Sequence, residues 1–271
     1  MDTSNKFHLS VNAAQAYEAQ KVPALFMPLA EATMDAADLP PNARVIDVAT
    51  GTGVIPKLLT GRVSGEAWIV GTDLNPAMID VAQRTMPASH HKTEWHACSV
   101  TELPFADGSF DAAFCQQGLQ FFPDKPAALR EILRVLAPKG MLFLTCWKEV
   151  SLFAQAISAS LRRRVSEDAA EMPLRPWSYR NGDEISALIR SAGFDIVDNS
   201  TLVIDRVLSP ARAAIREEIL ASPYEDELTS RGETIINDVV DDIEAELNAF
   251  RKADQIVIQE QAHLIQARRP A

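Results

Sequence analysis

Cysteine is scarce. Cys98, Cys115 and Cys146 are the only three in 271 residues, they are widely spaced, and none forms a CxxC pair or sits at ligand spacing from a histidine. This argues against a disulfide framework and a structural zinc site, and it fits a reducing cytoplasm; each is expected to be a buried small hydrophobe. Positive charge is also short, with 26 Lys and Arg against 37 Asp and Glu and a net charge of −11. A protein that grips a phosphate backbone needs a basic face, so nucleic acid is not an expected partner. Twelve acidic residues against five basic ones fall between Ala211 and Asp254, so much of the excess is local. The basic run Arg162-Arg163-Arg164 is short and reads as a solvated helix face. Long apolar runs are missing too. No stretch approaches the roughly 18 apolar residues of a membrane span. The N-terminal MDTSNKFHLS lacks the basic and apolar regions of a secretory leader. The expectation is a soluble protein without membrane or metal.

What is present is a hydrophobic fraction of 47%, ample for a sizeable core. Residues 11–37 read as helix interrupted by prolines, with Leu25, Phe26, Leu29, Thr33 and Ala37 on one face. From 44 to 147 the chain alternates short apolar strands (44–49, 67–74, 109–117, 140–147) with helical segments (54–59, 76–86, 124–137). The strands are continuously apolar instead of alternating, the pattern of a parallel sheet covered on both faces. Helices are expected over 151–168, 182–194 and 210–253, and strands over 195–207 and 255–268. The organisation expected is an N-terminal helical lid (1–40), a ligand-binding core (41–147), a substrate-cap segment (148–180), and a remainder (181–271) with a helical insertion at 208–253.

The stretch VIDVATGTGV, residues 45–54, carries the chemistry. A phosphate loop requires Gly-x-x-x-x-Gly-Lys-Ser/Thr, but Gly53 is followed by Val-Ile-Pro-Lys. A dinucleotide fingerprint requires a third glycine-type position, which falls here on Pro56. What remains is Asp47, the small residues Ala49, Thr50, Gly51, Thr52 and Gly53, and Asp73 at the end of the next strand. A carboxylate at Asp73 can accept from two adjacent ribose hydroxyls. Asp47, placed before the glycines, repels a pyrophosphate and attracts a cation. A nucleoside with a positively charged tail suits this loop better than one with phosphates.

Four segments in order, Asp-Val-Ala-Thr-Gly-Thr-Gly, Gly-Thr-Asp-Leu-Asn-Pro-Ala-Met, Leu-Pro-Phe-Ala-Asp-Gly-Ser-Phe-Asp and Arg-Val-Leu-Ala-Pro-Lys-Gly, resemble a class I S-adenosylmethionine-dependent methyltransferase. Within that group the chain is similar to the small-molecule branch of ubiquinone and menaquinone biosynthesis. The resemblance implies an α/β, Rossmann-like fold: a seven-stranded, mostly parallel sheet with an antiparallel last strand, helices on both faces and a helical cap. It implies S-adenosyl-L-methionine as cofactor and S-adenosyl-L-homocysteine as product. Asp47 then lies near the methionine ammonium, with Ala49, Thr50, Gly51 and Gly53 beneath the ligand. Asp73 takes the ribose, and Leu74 and Met78 wall the adenine. Where the family often has Gly-Asp-Ala, this chain has Cys98-Ser99-Val100, so Ser99 faces the adenine amino group without a charge. Gln116 lines the site and Gln120 stands where the family commonly places a histidine.

Because the family's N-terminal segment often folds over the cofactor, His8 and Tyr17 are the candidate catalytic residues. His90, His91 and His96 are expected at the surface and His263 in a structural role. Trp147 and Trp177 bracket the cap segment and are candidates, with Tyr17 and Gln120, for an apolar or aromatic acceptor. The reaction expected is in-line methyl transfer to a small O, N, C or S nucleophile, driven mainly by proximity and orientation. With no histidine at Gln120, the acceptor is expected to be a good nucleophile already. The alternatives are a fold that binds the cofactor without transfer, and a protein or RNA methyltransferase. A homodimer is compatible with the sequence.

Overall fold

The computed structural model of the protein describes residues 10–222 and 224–271. Ser10 caps the first helix, its Oγ accepting from Ala13 N at 3.2 Å, and α1 spans Val11–Ala16. The chain continues without a break through Tyr17–Phe26, which is wound as π-helix, into α2, Met27–Asp35. Pro23 lies within the wide stretch. It has no N–H to offer the preceding turn and its ring crowds the carbonyl there, and widening the helix relieves both problems.

The alternating region then builds β1 (Arg44–Val48), α3 (Val54–Arg62), β2 (Trp68–Asp73), α4 (Pro76–Thr85), β3 (Lys92–Ala97), β4 (Phe110–Gln116), α5 (Lys125–Val135) and β5 (Leu136–Trp147). Pro56 sits in the first turn of α3, where no intrahelical N–H is needed, so α3 runs on to Arg62, past the expected 54–59. Next come α6 (Leu152–Arg164), α7 (Glu167–Glu171), a 3₁₀ stretch Met172–Trp177, α8 (Gly182–Ser191) and β6 (Asp195–Leu208). The helices α9 (Ala211–Leu220), α10 (Glu225–Ser230) and α11 (Glu233–Glu246) precede the short β7 (Arg251–Lys252) and the long β8 (Gln255–Arg268).

The sheet order is β3-β2-β1-β4-β5-β8-β6, with β7 beside the start of β8. β3, β2, β1, β4 and β5 are mutually parallel, whereas β8 is antiparallel to both β5 and β6. The expected Rossmann-like sheet with its antiparallel last strand is therefore present. Continuous apolar strands have a direct cause here. Val45 turns toward the face that packs with Ile55, Leu59 and Met34, while Ile46 and Val48 turn toward Leu129, Ile132 and Ile185. Both faces of β1 are buried, so both alternating sets must be apolar.

Trp147, the last residue of β5, pairs with Ala262, which pairs in turn with Leu202. Residues 203–208 and 255–261 thus overhang the C-terminal ends of the parallel strands. The lobe of α6, α7, α9, α10 and α11 is built on this overhang, burying Phe153, Ile157, Ile215, Val240 and Ile243 against Leu208, Ile256 and Ile258. The Arg162–Arg164 run ties that lobe together at its surface. Arg162 bonds Glu167 and Glu171, and Arg164 bonds Asp238 and Asp242. Exposed pairs of this kind contribute little to stability, and with Arg163 on Asp242 each arginine of the run is matched by a carboxylate.

Candidate active site

β1 delivers its carboxylate, Asp47, just below a loop whose backbone reverses hand three times. Ala49, Gly51 and Gly53 have φ of 55°, 56° and 85°. Thr50 N docks the loop on β2 by donating to Thr72 O at 2.9 Å, and Gly53 N closes it on Thr50 O at 2.9 Å. The two glycines serve different purposes. A Cβ on Gly51 would meet nothing closer than the Tyr17 ring and hydroxyl at 3.9 Å, so this peptide is open to a ligand. A Cβ on Gly53 would come within 2.7 Å of the Trp95 indole, and one on Gly71 within 2.4 Å. Gly53 and Gly71 are therefore needed by Trp95, which sequence reasoning missed. The signal available was a glycine in mid-strand, since Gly71 and Trp95 are direct register partners.

Asp47 is 2% exposed. Its Oδ2 accepts from Thr50 Oγ1 at 2.5 Å, while Oδ1 is buried with no hydrogen-bond partner. Burial pushes its pKa up to about 8; the Thr50 bond opposes the rise and the nearby Asp73 adds to it. Asp73 closes β2, with Oδ2 accepting from Gly51 N and Oδ1 from Asn75 N, each at 2.9 Å. Its pKa is raised by burial against the pull of those backbone donors. The Leu74 N–H also faces this carboxylate, which still has acceptor capacity for a ligand hydroxyl. The structure therefore brings Asp47, Gly51 and Asp73 into one cluster, as the spacing predicts.

The N-terminal helix roofs this cluster. Tyr17 stacks on Phe26 with centroids 5.1 Å apart and packs with Ala14, Met78 and Ala77. Its hydroxyl is driven far above the ordinary range by burial, then by Asp73, Glu18 and Asp47 in turn, and is held protonated. A phenol in this state donates a hydrogen bond and does not serve as a base. Glu18 pairs with Lys57 of α3 at 2.5 Å. Gln116 Nε2, at the end of β4, donates to Phe26 O at 3.1 Å, and its Oε1 is buried without a partner. His8 lies outside the described residues.

On the far side of Asp73, Leu74 is 47% exposed although apolar, and Met78 is 8% exposed. Cys98 N donates to Asp73 O at 2.9 Å, which sets Cys98, Ser99 and Val100 beside the end of β2. Ser99 Oγ is 2.8 Å from Thr101 Oγ1. Gln120 is turned inward: its Nε2 donates to Gln117 Oε1 at 3.2 Å and its Oε1 accepts from Cys146 Sγ at 3.8 Å. Gln117 Oε1 also receives Trp147 N at 3.0 Å, so these glutamines join the ends of β4 and β5. Trp147 and Trp177 stack at 5.9 Å among Leu25, Leu29 and Ile204, and Trp177 Nε1 is buried with no partner.

One histidine departs from expectation. His91 is 6% exposed, not at the surface, because its Nδ1 accepts from Ala67 N at 3.2 Å and its Nε2 faces Thr60 O at 3.3 Å. It connects α3, β2 and the start of β3. His263 Nε2 lies 3.1 Å from Arg180 O, the structural role expected of it. Cys115 and Cys146 are fully buried, and Cys98 partly so. Among the described residues, no three of His, Cys, Asp or Glu are arranged to hold a metal ion, and no helix is long and apolar enough to cross a membrane.

The sheet is parallel but for one antiparallel strand next to its edge, and two acids flank an open glycine at its C-terminal end. Comparison with known proteins gives the class. Residues 46–144 match the methyltransferase domain family. A demethylmenaquinone methyltransferase of Deinococcus radiodurans is 40% identical over 163 residues, 56% of this chain and 67% of that one. A protein of Mycobacterium tuberculosis is 31% identical over 152 residues, 55% of this chain and 54% of that protein, so the chain spans about half the length of this relative. The fold matches a phosphoethanolamine N-methyltransferase of Haemonchus contortus, solved with S-adenosylhomocysteine. The TM-score is 0.60 at 19% identity, over 97% of this chain and 58% of that one. The chain belongs to the class I S-adenosylmethionine-dependent methyltransferases.

Proposed function

We propose that this protein transfers a methyl group from S-adenosylmethionine to a small, apolar or aromatic acceptor held between the loop Ala49–Gly53 and the helical lobe. One observation carries the cofactor reading: a buried carboxylate, Asp47, and a half-buried one, Asp73, flank the open peptide of Gly51, and one Asp47 oxygen lacks a donor. An ammonium supplies that donor and offsets the burial that raises Asp47. Asp73 receives the two ribose hydroxyls on its remaining lone pairs. Leu74 and Met78 cover the adenine faces, with Cys98, Ser99 and Val100 at its edge. Gln116, through its unpartnered Oε1, orients either the methionine end or the acceptor.

Bound S-adenosylmethionine supplies an electrophilic methyl on sulfur, and the electron pair of the broken bond stays with the sulfur as S-adenosylhomocysteine leaves. The chain's own contribution is alignment and exclusion of water. Tyr17 roofs the loop as a neutral phenol, and Gln120 faces inward, so neither provides a base. With these two residues set aside, and His8 outside the described residues, the acceptor is read as a nucleophile that ionises readily or carries a free lone pair: an acidic phenol, an enol carbon, a thiol or an amine.

The test is incubation with methyl-labelled S-adenosylmethionine and a panel of phenols, enols, thiols and amines. Label must appear in at least one acceptor with wild-type protein and fall by about 100-fold or more in Asp47→Ala, which loses a charge-assisted contact and its orienting effect. Tight S-adenosylhomocysteine binding with no labelled product across the panel would favour a fold that binds the cofactor without transfer.

A further inference from the structure

A second cluster of buried charge lies on the overhang of β6 and β8, outside the cofactor loop. Register pairs Ile204 with Glu260 and Arg206 with Ile258, so these side chains share the face that looks toward the N-terminal helix and α9. Arg206 is 1% exposed, and its guanidinium lies 4.4 Å from the centre of the Phe153 ring. It bonds Glu218 of α9 and stands 3.8 Å from Glu260. Glu260 also accepts from Ser151 Oγ at 2.5 Å. Both carboxylates are thus committed to Arg206 and Ser151, and Tyr224 faces the same charges.

Lys21 enters this cluster from the π-wound helix, beside Glu218 and Arg206. Among the described residues, no carboxylate comes within ion-pair distance of its Nζ and no acceptor within hydrogen-bond distance. Burial pulls its pKa down, Glu218 partly restores it and Arg206 lowers it further. Burial also pushes Glu260 up, against the pull of Arg206 and Ser151. Position gives the Lys21 ammonium a use. Tyr17, Lys21 and Leu25 follow at intervals of four, close to one face of the helix. Tyr17 roofs Gly51, and Leu25 packs with Trp147 and Trp177. Lys21 therefore lies one turn along the helix from the residue that roofs the cofactor loop, on the way to the buried stack of Trp147 and Trp177.

We propose that Lys21 is the acceptor-recognition cation of this enzyme, receiving an oxyanion (carboxylate, enolate or phenolate) on an aromatic or apolar acceptor. The proposal rests on the methyl-transfer reading above. A cation whose neighbouring carboxylates are already taken selects for an anion and against a neutral or cationic isostere.

Three probes of similar shape test it: benzoate, benzamide and benzylamine, titrated into the full-length protein with and without S-adenosylhomocysteine and followed by tryptophan fluorescence. Benzoate should bind about tenfold or more tighter than benzamide, and benzylamine weakest, matching one charge-assisted contact. In Lys21→Met the benzoate preference should shrink to within about twofold, while Lys21→Arg retains most of it. S-adenosylhomocysteine affinity, unchanged in both variants, reports that the site is still folded. Phenol titrated across its own ionisation separates phenolate from carboxylate recognition. Equal binding of the three probes, no benzoate binding at millimolar concentration, or a preference that survives Lys21→Met overturns the assignment. Failure of the parent protein to bind S-adenosylhomocysteine would instead sink the methyl-transfer reading, and the charge preference would still decide the role of Lys21.

Discussion

Asp47 holds one oxygen on Thr50 and the other, buried, on nothing. Its raised pKa means the unliganded fold binds a proton that the unfolded chain releases above its ordinary carboxylate range. Stability from this group is therefore lost as pH rises toward and through about 8, and ionisation becomes favourable only when a cation arrives. Two outcomes follow at this scale. S-adenosylhomocysteine affinity should climb as pH rises to about 8, with proton release on binding at neutral pH, measured by calorimetry in buffers of different ionisation enthalpy. Asp47→Asn keeps an acceptor for Thr50 but cannot ionise. It should lose affinity and that pH dependence, and its unliganded stability relative to wild type should increase toward alkaline pH. A pH-independent affinity in the wild type would mean that Asp47 does not meet a charged ligand group.

At the scale of elements, the glycines separate ligand effects from packing effects. Gly53→Ala forces a Cβ into Trp95 at a left-handed backbone position. Overpacking and φ strain together should cost about 2–5 kcal/mol, lowering Tm by several degrees. Gly51→Ala carries φ strain alone, about 1–2 kcal/mol, and should show its main effect on cofactor affinity. Equal losses of stability in the two variants would contradict this division. The same contrast shows what the sequence makes legible. Asp47, Gly51 and Asp73 lie at the ends of adjacent strands, and the βαβ unit fixes that separation along the chain, so spacing alone brings them together. Trp95 against Gly53 and Gly71, and His91 between Thr60 and Ala67, depend on how β3 and α3 dock on β2. Those contacts carry no local pattern. Lys21 with Arg206 and Glu218 spans nearly two hundred residues of chain, and no periodicity announces it. Gln120 is legible as a residue at the mouth, but not as one turned inward by Gln117 and Cys146.

The whole molecule is a sheet whose C-terminal edge is built upward on one side. β6 and β8 continue past β5, a helical lobe stands on them, and the N-terminal helix crosses from α4 to that lobe above the loop. A ligand at the loop touches the core and the N-terminal helix together, so binding should stabilise the entire fold. At about 100 times Kd, S-adenosylhomocysteine should add about 2.7 kcal/mol, raising Tm by about 5 °C or more. An Asp73→Ala protein at the same ligand concentration should show almost no rise.

The central claim is that two acids flanking Gly51 hold the cofactor, and calorimetric titration with S-adenosylhomocysteine, run on wild type and Asp73→Ala side by side, tests it most directly. One-to-one binding to the wild type, weakened about 100-fold or more when the ribose loses its carboxylate acceptor, is the predicted result. Undiminished affinity in Asp73→Ala, or no binding to the wild type, would contradict it.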